Sequence, residues 1–185
     1  MTEDVLAKLQ GPIRQVFLDH KAQDHHGMCL LHNHFQIPEG QRLVEHGPIS
    51  LPWDLGGEDK IVVPKFNGVI APRSIRLFDC KLAPFEFIFT LKEPELSLGF
   101  LITAFRVIED LKLHNVLRIR YFDKHDSQLS VKVTQGKANV VVPQGVLSDS
   151  NLIDAFWVFN LDGRRKVPLQ RTILSTGRWC APGKP

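Results

Sequence analysis

The patterning of the chain predicts an α+β domain: a largely antiparallel sheet, curled or barrel-like, with one main amphipathic helix and a short helical N-terminus. Three observations predict it. Short segments of alternating apolar and polar residues recur between turn dipeptides, among them Asn67-Gly68 and Asp162-Gly163. Only one stretch, Pro94 to Leu113, carries a long helical stripe. Strands do not alternate with crossover helices, which argues against a doubly wound fold.

Taken in order, Thr2 to about Ala22 reads as helix, because Val5, Leu6, Leu9, Ile13, Val16 and Phe17 recur at helical spacing. Gly11-Pro12 should divide it in two, since an interior proline removes a backbone bond and clashes with the preceding turn. Met28 to Ile37 alternates as a strand, with Cys29, Leu31, Phe35 and Ile37 on one face and His32 and His34 together on the other. Pro38-Glu39-Gly40 is a turn leading to a second strand, Arg42 to His46, that would fold back and bring Glu45 or His46 near His34. Residues 46 to 59 read as a Gly/Pro-rich loop carrying Trp53.

Ile61 to Phe66 and Val69 to Phe78 flank Asn67-Gly68 as a hairpin, with Pro64 and Pro72 at edges or bends. Phe85 to Phe89 alternates, its three phenylalanines marking the buried side. In the main helix, Leu101, Ala104, Phe105, Ile108 and Leu111 form the apolar stripe, and Pro94 fits the first helical position. Val116 to Phe122, Leu129 to Thr134 and Lys137 to Val142 read as a meander. Ala155 to Leu161 and Arg164 to Leu169 form a last hairpin before an irregular tail.

With 185 residues, 43% of them hydrophobic, the chain (1–185) is read as one domain with a core of its own. The net charge of +3 is small and the basic residues are scattered, so nucleic acid is not the expected partner. Cys29, Cys80 and Cys180 form no CxxC pair, which points to reduced thiols and a cytoplasmic setting. No apolar run approaches the roughly 20 residues that span a bilayer, so no membrane partner is expected. The P-loop, Rossmann, G-x-S-x-G and HExxH patterns are missing, which disfavours ATP-driven, NAD-dependent and serine-hydrolase readings.

Chemistry-bearing residues concentrate at one place. Six of the eight histidines lie between His20 and His46. His32 and His34, at i and i+2 on a strand, can share one cation, with Glu39, Glu45 or His46 as third ligand. Such a set suits a divalent metal: Fe, Mn or Zn. The same histidines can work without metal, one moving a proton while the other orients or stabilises charge, with Glu45 beside them. His25 and His26 are weaker candidates as ligands, because a pair in a polar loop has no fixed geometry.

Gly27, His32, His34, Glu39 and Gly47 are similar in spacing to the first cupin motif, two gaps differing by one residue. A partial second motif, Gly136, Pro143, Gly145 and Asn151, has Ser148 where the family places a histidine ligand. The two segments are separated by the long helix, unlike a compact jelly roll, and no family function is carried over.

Cys29 is expected to be an inert core thiol, and Arg118 and Arg120 to share a solvated strand face. The reading that follows is a small cytosolic enzyme acting on an organic small molecule, metal-assisted or by acid–base chemistry, at a pocket over His32 and His34. The alternative is a non-catalytic ligand-binding or protein-interaction module, with Phe156-Trp157-Val158-Phe159 as a joining surface and a second copy of the chain (a homodimer) as one partner.

Overall fold

The computed structural model describes residues 3–32, 35–57, 67–122, 130–143, 145, 152–159 and 168–173, the last as backbone alone. The chain begins with α1 (Glu3–Lys8), a π turn (Leu9–Ile13) and α2 (Arg14–Asp19). Then come β1 (His26–Leu30), β2 (Arg42–His46), β3 (Ile49–Trp53), β4 (Val69–Phe78) and β5 (Lys81–Thr90). The main helix α3 (Leu98–Asp110) is followed by β6 (Leu117–Tyr121), β7 (Ser130–Gln135), β8 (Ala138–Pro143), β9 (Leu152–Trp157) and β10 (Pro168–Ile173). The sheet is mostly antiparallel and strongly curled, and its ladder closes as a barrel in the order β1-β6-β4-β5-β2-β3-β8-β7-β10-β9. Two neighbours run parallel, β2 with β5 and β10 with β7. Closure of β9 onto β1 rests on two residue pairs, Met28 with Trp157 and Cys29 with Phe156.

Local chemistry explains the joints. Gly11 has φ −92° and ψ −106°, outside the helical region, so Gly11-Pro12 divides the N-terminal helix as expected. The β2–β3 connection places Gly47 at φ 59° before Pro48, the glycine-first pattern of a tight hairpin turn. The β4–β5 hairpin turns on Asp79 and Cys80, both left-handed at φ 50° and 56°. That is the type I′ backbone without the usual glycine. Helix α3 starts at Ser97, whose Oγ accepts from the Phe100 N–H at 3.3 Å. It ends with Lys112 at φ 60° and the Leu113 N–H donating to the Ile108 carbonyl at 2.9 Å, a Schellman closure.

The dry core lies between the helices and the outer face of the sheet. Leu9, Ile13 and Phe17 from the N-terminal helices and Phe100, Phe105 and Ile108 from α3 pack against Met28, Ile75, Leu117, Ile119, Trp157 and Phe159. Phe17 anchors it, edge-on to Phe100 at 4.9 Å and tilted on Phe159 at 4.6 Å. Each such side chain contributes about 1.5–3 kcal/mol by leaving water. Gly27 sits where β1 meets β9; a Cβ there would collide with the Trp157 carbonyl oxygen and the Phe156 ring.

Several expected elements differ. The strand expected from Met28 to Ile37 is β1, which runs only from His26 to Leu30, with Leu31 still donating to the Val116 carbonyl at 2.7 Å. Residues 49–53 form β3, not loop. The hairpin partner of Val69–Phe78 is Lys81–Thr90; Ile61 to Phe66 lies outside the described residues. Pro94 precedes α3 by several residues because Ser97 supplies the cap. β6 is not part of a meander with β7: it lies between β1 and β4. Phe156, Trp157 and Phe159 are buried, so they form no exposed joining surface. The Asp162-Gly163 turn and Cys180 lie outside the described residues.

Candidate functional site

Alternation places Leu117 and Ile119 of β6 on the helix side and Arg118 and Arg120 inside the barrel. The same parity turns Glu45 of β2, Glu86 of β5 and Lys132 of β7 inward. Register shifts around Arg73 and Ser74 mark a β-bulge in β4, and both residues are buried. The barrel interior is therefore ionic. Glu45 bridges Arg73 at 3.1 Å and Arg120 at 2.8 Å. Glu86 takes Arg118 at 3.1 Å, Lys132 at 3.3 Å and Arg120 at 3.6 Å. Arg118 also donates to the Cys29 thiol at 3.5 Å and lies over the Phe85 ring at 4.6 Å.

Burial alone would raise the Glu86 carboxyl's pKa. Arg118, Lys132 and Arg120 together outweigh that and hold it well below the ordinary carboxylate value. Burial pulls the Arg118 guanidinium down, but Glu86 overrides it and keeps the group more firmly protonated than usual. Arg76, half-buried beside this network, is lowered by burial and by the positive charge of Arg118.

At one mouth of the barrel a cleft of about 670 Å³ opens, within the range of small-molecule sites. The end of α2 contributes His20 and Lys21, the start of β1 His25 and His26, and the end of β6 Tyr121. Ile88 and Thr90 of β5, the segment 92–97 and Phe100 complete the wall, and buried Arg73 lines it from β4. His25 stacks near-parallel on Tyr121, centroids 6.4 Å apart. His26 is only 5% exposed, tilted on Phe100 at 5.2 Å and edge-on to Tyr121 at 5.9 Å. Burial lowers its pKa to about 4, with the charge of His25 adding to the effect and the Ala22 carbonyl opposing it. His26 is therefore a neutral imidazole near pH 7, and among the described residues its ring nitrogens make no well-formed hydrogen bond, the Ala22 carbonyl being only near enough to favour the protonated ring slightly.

The residues singled out from sequence fall in different places. His32 is half-buried just past β1, its Nδ1 3.2 Å from the Leu30 carbonyl, and it is not on a strand face. His34 lies outside the described residues. Glu39 is exposed, and His46 is exposed and packs edge-on against Phe89 at 5.2 Å. Glu45 is bonded to arginines inside the barrel. Among the described residues no group of three or more His, Cys, Asp or Glu side chains is placed to hold a metal ion.

Cys29 is buried as expected, but toward the ionic interior. Arg118 and Arg120 do share a face, and it is buried, not solvated. His26 opens β1 and gains the fixed geometry that a loop would have denied it. The residues missed from sequence were Arg73, Glu86 and Lys132. Each lies in mid-strand, Glu86 between Phe85 and Phe87 and Lys132 between Val131 and Val133, and that was the available signal. Compared with known proteins, the chain matches no family model, no curated protein and no solved structure.

Proposed function

We propose that the protein takes a small organic molecule into the cleft at the barrel mouth and handles it by acid–base chemistry. The observation that carries this reading is the cleft itself: about 670 Å³, walled by His25, His26, Tyr121 and Phe100, with a buried guanidinium at Arg73. Apolar rings and a few convergent polar groups are what a small-molecule site requires. Imidazole is the side chain suited to proton transfer near neutral pH. The exposed ring of His25 reaches the ligand. Neutral His26 behind it offers one N–H donor and one acceptor. Turnover makes the protein an enzyme; the same cleft without turnover is a ligand-binding module.

The test is a library of organic compounds screened by side-chain NMR of the histidines and Tyr121. Hits should move His25, His26 and Tyr121 signals together and leave His114 unmoved. Binding should weaken in His25→Ala and Tyr121→Ala. A library in which every hit binds elsewhere removes the reading. Product analysis on the hits, with wild type against His25→Ala, separates enzyme from binding module.

A further inference from the structure

We infer that the ligand of this cleft is an aromatic compound of more than one ring, held ring first by His25, Tyr121 and Phe100. The inference rests on the cleft being a small-molecule site and adds the chemical class of its occupant. Five of the lining residues carry aromatic rings: His20, His25, His26, Phe100 and Tyr121. They form one continuous series. His20 lies 5.9 Å from Phe100, and Phe100 5.2 Å from His26, centroid to centroid. His26 lies 5.9 Å from Tyr121, and Tyr121 6.4 Å from His25.

Neighbouring planes in the series differ by 19° to 73°, so the wall is not one flat stack but a set of rings turned at different angles. A ring's face is electron-rich and its edge electron-poor. A planar aromatic guest can therefore meet one wall ring edge-on while lying offset on another. A saturated ring of the same size has no such quadrupole and gains only the area it buries. His26, buried against both Phe100 and Tyr121, holds two of these rings in place before a ligand arrives. That lowers the cost of ordering the site on binding.

Burial sorts the two ends of the ligand. Ala22, His26, Pro94 and Phe100 of the wall are buried, and Leu96 and Tyr121 are half-buried. The charged residues Lys21, Lys92, Glu93 and Glu95 are exposed. Buried Arg73 is engaged within the protein, 3.1 Å from Glu45 and 5.8 Å over the Tyr121 ring. The ring body therefore faces the buried wall, and a polar substituent stays in water at the charged rim. At about 670 Å³ the cleft is in the range that encloses a drug-sized ligand, more than a single ring fills.

Calorimetry and histidine and tyrosine side-chain NMR near pH 7 test this, with 2-naphthol, decahydro-2-naphthol, phenol, methyl glucoside and tetraethylammonium as probes. The first two share a carbon skeleton and a hydroxyl and differ in aromaticity. 2-Naphthol should bind saturably, move the His25 and Tyr121 signals, and bind at least about tenfold tighter than decahydro-2-naphthol, the worth of two ring contacts. Phenol should bind more weakly than 2-naphthol. Tyr121→Leu keeps an apolar side chain without the ring and should bring the naphthol and decahydronaphthol affinities within about threefold of each other. His25→Leu, at an exposed position, should narrow the same ratio and keeps the test open if Tyr121→Leu does not fold. Decahydro-2-naphthol or phenol binding as tightly as 2-naphthol overturns the proposal, as does tighter binding of methyl glucoside or tetraethylammonium. If saturated and aromatic compounds move the His25 and Tyr121 signals alike, the aromatic class is wrong and the cleft reading stands. If nothing moves them, both fall.

Discussion

Lowering the pH from 7 toward 4 should unload stability from the fold through His26. Its imidazole has an ordinary value of 6.5 and is lowered to about 4 in the folded protein, mainly by burial. Between those values the unfolded chain binds a proton that the folded chain refuses. Stability from this source is therefore complete above pH 6.5 and lost as pH falls toward 4. At about 1.4 kcal/mol per pH unit, the interval corresponds to roughly 3 kcal/mol.

Glu86 acts with the same sign but lower down. Its carboxyl is held below the ordinary value of 4.5, so its contribution is lost only as pH falls beneath that. Most of the His26 loss therefore falls before Glu86 begins to titrate. His20 and His25 share the cleft wall, and Arg73, Lys21, Lys92, Glu93 and Glu95 face it as well. A single variant isolates the effect. His26→Gln keeps a polar, neutral group of similar reach. The assay is urea unfolding by tryptophan fluorescence at half-unit steps from pH 7.5 to 4.5. Wild type should lose about 2–3 kcal/mol more than His26→Gln over that range. Parallel curves for the two proteins would refute the assignment of a neutral, buried His26.

Three further outcomes follow from the interior and the joints. Glu86→Gln should cost about 3–5 kcal/mol in urea unfolding, because it removes the buried carboxylate that Arg118, Lys132 and Arg120 share. Lys132→Met, which leaves Glu86 bonded to its two arginines, should cost less; equal losses for the two would contradict the reading of Glu86 as the carboxylate the three cations share. Gly27→Ala should destabilise by about 1–3 kcal/mol, read from the thermal midpoint, because the added methyl meets Trp157 backbone and the Phe156 ring. Ser97→Ala should cost about 1 kcal/mol through the lost cap on α3, with the barrel's near-UV circular dichroism unchanged.

The α+β class and the curled sheet were legible because period and turn chemistry are local. Arg42–His46, Val69–Phe78 and the stripe of α3 were all readable from alternation or helical spacing. The Asp79-Cys80 hairpin was not, since Asp tolerates the left-handed backbone but Cys80 stands where such a turn usually has glycine. The site was less legible, for a reason of sidedness. Sequence parity said that Arg118 and Arg120 share a face, and they do. It could not say which face meets water. Here the helices cover the outer face and make it the dry one, so the charged face of β6 became the barrel's interior.

The histidine-rich stretch misled for a related reason. Parity was carried past Leu30, where β1 ends, so His32 lost the strand that would have aimed it. The histidines that line the cleft, His20, His25 and His26, stand just upstream. Their convergence depends on α2, β1 and β6 meeting at one mouth, a tertiary fact with no spacing signature.

The strand order also sets a sequence of events during synthesis. β1 leaves the ribosome early, yet Met28 waits first for Ile119 of β6 and then for Trp157 of β9 before both its edges are paired. Such late, distant pairings slow folding, and the β4–β5 hairpin is the long ladder that can form without waiting. Its order of emergence matters for the ions. Glu45, Arg73 and Glu86 all precede Arg118, Arg120 and Lys132 along the chain. Each later cation of this network therefore enters a barrel wall where a carboxylate already stands.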